Sequence, residues 1–230
     1  MPFVPRLTGQ NMALVAVFAG LIALSTTPPE FSLASGVPIS LQTLAVVLAG
    51  LVLGAWRGFA AVVLYLAVGL AGAPVYADGA SSWGAFVGPT GGYLWSFPIA
   101  AFVVGWIAER IRTSANGIVG FSALMGAGLV SLPIVYTIGV PWLAHYFELP
   151  VFTAESPGEP TGLAWGLLPF VVGDILKVLV AAAVAAAVHR SFPQLLSATS
   201  AHFAVSPSDR AEAHDNATEL TEESTPASRV

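Results

Sequence analysis

The sequence predicts an all-α membrane protein, a bundle of six transmembrane helices with both termini in the cytoplasm. Three observations lead there. Of 230 residues, 56% are hydrophobic and only 9% are charged, against roughly a quarter charged in a soluble domain. The mean hydropathy is +0.78. Six apolar runs are set apart by proline, glycine and charged punctuation, and among the connections only alternate ones carry Lys or Arg.

Composition also removes function classes. The net charge of −5 says little, since six of the 13 acidic residues lie in the last 34 positions. There is no basic surface for nucleic acid. The absence of Cys leaves no disulfide, thiolate catalyst or Cys-based metal site.

Residues 1–11 form a short polar lead. The first apolar run, from residue 12 to about 26, closes on Pro28-Pro29. Arg6, the apolar core and Leu33-Ala34-Ser35 resemble a secretory signal, but further spans follow and the two prolines suit a helix exit better than a cleavage site. Ala16 and Gly20, like Ala19 and Ala23, are small residues four apart, a spacing that lets another helix approach closely. That surface, Ala16, Gly20 and Ala23, serves either packing within the bundle or docking of a partner subunit.

The second run begins at Ile39-Ser-Leu-Gln-Thr-Leu and ends near Ala55. Gln42 and Thr43 sit at its outer end, where they either line a site or cap and hydrate the helix. Trp56-Arg57-Gly58 reads as a tight interfacial turn, and the third run covers residues 59–70. Residues 72–92 then form the longest irregular stretch, glycine-rich and aromatic, without Lys or Arg. Lipid cannot satisfy such backbone, so it lies outside the bilayer or lines a protected cavity. An apolar loop of this length predicts an ordered lid or pocket wall.

The fourth run, 93–107, ends at Glu109, Arg110 and Arg112. After the Asn116-Gly117 turn the fifth covers 118–140, with Pro133 as a kink. An aromatic segment carrying Trp142, Tyr146, Trp165, Glu148, Glu155 and Glu159 leads into the sixth, 169–190. Pro169 marks that helix start, because its missing N–H would have no partner there anyway. About 21 residues at ~1.5 Å each cover roughly 31 Å, the depth of the hydrocarbon layer. Arg6, Arg57, Arg110, Arg112 and Arg190 all fall on one side of this arrangement, which fixes its orientation. Residues 191–230 read as a disordered acidic cytoplasmic tail.

Within the sixth run, Asp174 and Lys177 lie three apart and share a helix face. An intramembrane charge costs at least ~2.5–3.5 kcal/mol. A pair is retained either to hold a ligand or ion, or to pin the helix to its neighbours. Above it, Asp78 and Tyr93 flank the glycine-rich loop, with Trp83 and Phe86 as apolar cover. Gly88-Pro-Thr-Gly-Gly92 lacks the GK[ST] ending and preceding strand of a phosphate loop. With no HExxH pair, GxSxG elbow or nucleophile beside a base, an enzyme is not expected, nor a metal or other cofactor. His145, His189, His202 and His214 are scattered. One reading of the acid and amine is a stand-alone proton- or ion-coupled carrier.

Pro38-Ile-Ser-Leu-Gln-Thr43, Tyr65-x-x-x-Gly69-x-x-Gly72-x-Pro74-Val75-Tyr76, Gly88-Pro-Thr-Gly-Gly-Tyr93 and Asp174-x-x-Lys177 together carry a resemblance. Over residues 12–190 the chain is similar to the biotin-specific substrate-binding subunits (BioY family) of energy-coupling-factor vitamin transporters. That resemblance implies a six-helix bundle in the bacterial cytoplasmic membrane, binding biotin near its outer face under the loop between the third and fourth helices. Asp174 and Lys177 would meet the ureido end of biotin, Asp78 would make a polar contact, and Tyr93 would lie near the valerate carboxylate. Gln42 and Thr43 would complete the site, with Trp83, Phe86, Gly91 and Gly92 as the lid. The implied partners are a transmembrane coupling subunit and paired cytoplasmic ATPases, docking on the Ala16, Gly20 and Ala23 face. Several family members have Thr at the position of Ser40. The tail is not explained by the resemblance.

Overall fold

The computed structural model describes residues 9–26, 31–32, 38–111, 118–154 and 159–192. Arg6, Arg112, Asn116-Gly117, Glu155 and the acidic tail from residue 193 lie outside the described residues. Most of what is described is helix. In chain order come α1 (Gly9–Leu24), β1 (Phe31–Ser32), β2 (Pro38–Ile39), α2 (Gln42–Leu53) and α3 (Ala55–Leu70). A 3-10 turn (Ala77–Gly79), α4 (Ser82–Val87) and α5 (Gly91–Ile111) follow. Then come α6 (Ile118–Leu129), α7 (Ser131–Tyr146), α8 (Gly162–Gly166) and α9 (Leu168–Ser191). The two short strands pair antiparallel, Phe31 opposite Ile39 and Ser32 opposite Pro38.

Among the described residues, three stretches are long and apolar enough to cross a membrane: Gly91–Ile111, Ile118–Tyr146 and Gly162–Ser191. The α1, α2 and α3 helices are apolar but shorter. The shortest of these is the middle of the molecule. Apart from Thr43 and Leu44, every residue of α2 is buried, enclosed by α1, α3, α5, α6 and α9. Glycine permits that density: a Cβ on Gly50 would lie 2.7 Å from the carbonyl oxygen of Ala101 on α5, and one on Gly58 of α3 would lie 3.0 Å from Gly50 Cα. A cluster of Val47, Leu51, Val104, Leu124, Leu143 and Val178 fills the space between the longer helices.

Several boundaries differ from the sequence expectation: α1 begins at Gly9, α5 extends to Ile111, and the run expected to end at 140 continues to Tyr146, so Trp142 and Tyr146 are helical; four further differences have a local reason. Trp56-Arg57-Gly58 is not a turn but the first turn of α3, because Gly54 alone reverses the chain at φ +84°, a region glycine enters without steric cost. The Glu109 carboxylate accepts a 2.9 Å hydrogen bond from Ala55 N–H, satisfying one of the donors that a helix start leaves open. Pro133 does more than kink the fifth run. Lacking an N–H for the carbonyl four residues back, it accompanies a break at Val130 that separates α6 from α7. Residues 72–92 are not irregular throughout; they contain the 3-10 turn, α4 and the first two residues of α5. The last helix begins at Leu168, one residue early, with Pro169 in its first turn as expected.

One end of the bundle is tied by charge. Arg57 Nε donates to Leu53 O at 2.9 Å and its Nη1 to Asn11 Oδ1 at 3.3 Å, joining the start of α1 to the α2–α3 turn that Glu109 of α5 caps. The opposite end carries the 71–90 connection and α8.

Candidate ligand-binding site

A cavity lies at that opposite end, with about 600 Å³ of empty space counted out to its open mouth. Five parts of the chain line it. From α9 come Phe170, Asp174 and Lys177, spaced four and three apart so that one helical stripe faces the space. The start of α2 brings Ser40, Gln42 and Thr43, and the 71–90 connection brings Tyr76, Ala77 and Thr90. Leu94, Phe97 and Tyr93 come from α5, and Val135 and Tyr136 from α7.

Asp174 and Lys177 are both buried, at 4% and 9% exposure, and Lys177 Nζ donates to Asp174 Oδ1 at 2.7 Å. The second carboxylate oxygen is engaged from another helix, where the Tyr136 hydroxyl donates to Asp174 Oδ2 at 2.6 Å. A buried ion pair survives only if its remaining groups are hydrogen-bonded, and Tyr136 supplies that bond. The ammonium keeps two further N–H donors, and each carboxylate oxygen keeps a lone pair. The wall thus offers donor and acceptor side by side.

Gln42, on the neighbouring helix α2, is held at both ends of its amide. Ser40 Oγ donates to Oε1 at 2.9 Å, and Nε2 donates to the Tyr65 hydroxyl at 2.5 Å. Tyr65 stands edge-on to Tyr76, ring centroids 5.6 Å apart. The Tyr76 ring occupies the place a side chain at Gly69 would take, and its hydroxyl donates to Leu66 O. The tyrosine–glycine motif is therefore a packing device that brings one wall residue, Tyr76, to the cavity. Burial pushes the Tyr76 phenol up to about 12.

Of the residues singled out by sequence, Asp174, Lys177, Gln42, Thr43 and Tyr93 meet at this cavity. The Tyr93 ring sits against Gly139 and Gly166, where Cβ atoms would collide with it, and its hydroxyl donates to Gly166 O at 2.7 Å. Asp78 is placed differently: it is exposed, at φ +55°, and does not line the space.

The expected lid residues also stand elsewhere. Phe86 is buried behind the wall against Tyr76 and Trp95, and Trp83 stacks on it from outside at 5.8 Å while 58% exposed. Gly91 and Gly92 are buried where a side chain would strike Phe86 backbone or Trp142, and Trp142 Nε1 clamps the turn by donating to Gly88 O at 2.9 Å. These four fasten the loop to α5 and α7, while Tyr76, Ala77 and Thr90 form its inner surface.

On α1, Ala16 and Gly20 are exposed and Ala23 partly so, while Ala19 and Ile22 turn into the bundle. The Ala16 and Gly20 face is thus not used for packing among the described residues, and a Cβ at Gly20 meets open space.

Sequence reasoning missed Tyr136. The available signal was a phenol in the middle of an apolar run, since a buried tyrosine hydroxyl needs a partner. It named no partner, because Asp174 is 38 residues away in sequence.

Residues 4–194 match the BioY family. The chain is 39% identical over 193 residues to the biotin transporter BioY of Rhodobacter capsulatus, a similarity covering 81% of this chain and 97% of that one. It is 35% identical over 177 residues to the probable biotin transporter BioY of Pyrococcus horikoshii, covering 76% and 94% respectively. The crystal structure of the S-component for biotin from an ECF-type ABC transporter shares the fold, with a TM-score of 0.69 at 24% identity over 80% of this chain and 95% of that chain. A family match over most of the length, a relative at this identity and one common fold agree: the chain belongs to the BioY family.

Proposed function

We propose that this chain is the membrane-embedded subunit that captures biotin at the outer face of a bacterial cytoplasmic membrane, for import energised by a separate coupling subunit and paired ATPases. The observation that carries this reading is the buried Asp174–Lys177 pair on the wall of an open cavity. Its relatives are named biotin transporters, which favours transport over catalysis.

The chemistry suits a neutral cyclic urea. In a five-membered ring urea the two N–H groups point apart, each beside the carbonyl. The Asp174 carboxylate accepts from one N–H while the Lys177 ammonium donates to the adjacent carbonyl oxygen. Phe97, Val135 and Phe170 supply apolar wall for the remainder, the usual composition of a small-molecule site. Tyr93, its proton engaged by Gly166, meets the ligand through its ring and a hydroxyl lone pair. Thr43 and Gln42 complete the polar set, and Asp78 is placed next to the lining residue Ala77.

In the same reading the six apolar runs are six spans with cytoplasmic termini. The Arg57, Glu109 and Asn11 cluster at the end away from the cavity supports that orientation. The α1 face of Ala16 and Gly20, with the half-buried Ala23 at its edge, is where the coupling subunit docks.

Calorimetry of the detergent-solubilised protein against biotin, dethiobiotin, thiamine and riboflavin tests the reading. Tight binding of biotin with no heat from thiamine or riboflavin is expected; equal affinity for all four, or none for biotin, removes it. Uptake into liposomes by this chain alone, driven by a pH gradient, would replace it with the stand-alone carrier.

A further inference from the structure

The Asp174–Lys177 pair accounts for only one side of a ring urea. The second N–H points away from the first, and the carbonyl oxygen has a second lone pair on that side. Desolvating both without partners is costly, since a buried donor or acceptor left unpaired keeps its full desolvation penalty. The cavity therefore needs a second place where an acceptor and a donor stand together.

Gln42 is such a place. A primary amide has one acceptor oxygen with two lone pairs and two N–H donors. Ser40 occupies one lone pair and Tyr65 one N–H, which leaves one of each on a buried side chain that lines the cavity. The amide's direction is set by groups on two different parts of the chain: Ser40 lies just before α2 and Tyr65 on α3. Tyr65 is itself buried, 1% exposed and packed edge-on against Tyr76. It does not line the cavity.

We infer that Gln42 binds the second N–H/C=O edge of the ring urea, opposite the edge held by Asp174 and Lys177, and that Tyr65 is the positioning residue that aims it. The inference rests on the biotin reading above. Ligand recognition is thereby divided between a charged edge on α9 and a neutral amide on α2, and one determinant of affinity lies on a residue the ligand never touches.

A mutant cycle tests it. Tyr65→Phe keeps the ring and removes only the hydroxyl; biotin affinity measured by calorimetry should fall roughly tenfold, the value of one neutral hydrogen bond at the upper end. Gln42→Leu should lose more. In the Gln42→Leu background the Tyr65→Phe change should cost nothing further, because the group it aims is gone. A wild-type affinity for Tyr65→Phe overturns the inference, as does a loss that adds in full to that of Gln42→Leu, the mark of a structural role. Thermal unfolding without ligand separates the cases again, since the midpoint lowered in Tyr65→Phe by the unpaired Gln42 N–H should recover in the Gln42→Leu background, where that donor is gone, whereas a structural role of the hydroxyl lowers it in both. Should Tyr65→Phe fail to fold, Ser40→Ala releases the other end of the amide and is read by the same cycle. Wild-type protein that does not bind biotin refutes the ligand assignment itself, whereas normal wild-type binding with an unaffected Tyr65→Phe refutes the aiming role alone.

Discussion

The hydroxyl of Tyr136 on α7 donates to Oδ2 of Asp174 on α9 at 2.6 Å, while Lys177 holds Oδ1 at 2.7 Å. One carboxylate is thus shared between an ammonium on its own helix and a phenol on another. Removing that phenol takes away a charge-assisted bond without opening a large void, so Tyr136→Phe should weaken biotin binding roughly tenfold to a hundredfold. Titration calorimetry checks this, and an unchanged Kd would show that Lys177 alone orients the acid.

Breaking the ion pair from one side differs from deleting it. Asp174→Ala or Lys177→Ala leaves a buried charge unpaired and should destabilise the fold by about 3–5 kcal/mol, along with a loss of biotin binding of roughly a hundredfold or more. The double variant Asp174→Leu with Lys177→Met should recover the thermal midpoint, because apolar replacement of a whole buried pair is often neutral, but not the binding. Recovery of both would mean that the pair serves the fold only.

Tyr93 depends on two absences. A methyl group at Gly139 or Gly166 collides with its ring or hydroxyl, so Gly139→Ala should cost about 1–3 kcal/mol of stability, as overpacking does, and should lower biotin affinity by displacing a wall residue. Gly20→Ala, which meets open space, is the control and should match wild type in both measurements.

The outward face of α1 predicts a separation of functions. Gly20→Leu should bind biotin like the wild-type protein in detergent and fail to co-purify with a co-expressed coupling subunit and its ATPases. Loss of biotin binding in that variant would place α1 within the site instead.

Tyr76 supplies a pH dependence. Its phenol is pushed up to about 12 by burial from an ordinary value near 10. A raised folded value means that its contribution to stability is complete below pH ~10 and is lost as pH rises through about 12. Thermal midpoints of wild type and Tyr76→Phe should therefore converge above pH 10; parallel curves would show that Tyr76 ionises without consequence for folding.

Periodicity and punctuation made most of the helices legible in advance, because an apolar run bounded by glycine and proline has few alternatives in a bilayer. The misplaced turn at Trp56-Arg57-Gly58 came from weighing an interfacial tryptophan and arginine above Gly54, when only the glycine reaches φ +84°. In the site, Asp174 and Lys177 were readable because their spacing is local. Tyr136 was not, because its partner is fixed by the packing of α7 and not by sequence separation. Trp83 and Phe86 were read as cover from their composition; the stacking that turns them away from the cavity depends on Trp95 and Tyr76, contacts no local pattern encodes.

The burial of α2 has a consequence for how the protein senses its surroundings. Gln42 is carried on a helix with almost no surface outside the bundle, so this half of the recognition apparatus is screened from direct contact with the acyl chains. Thickening or stiffening the bilayer acts on the outer helices, and reaches the amide through Tyr65 on α3, whose outward face carries Val63, Leu64 and Val68.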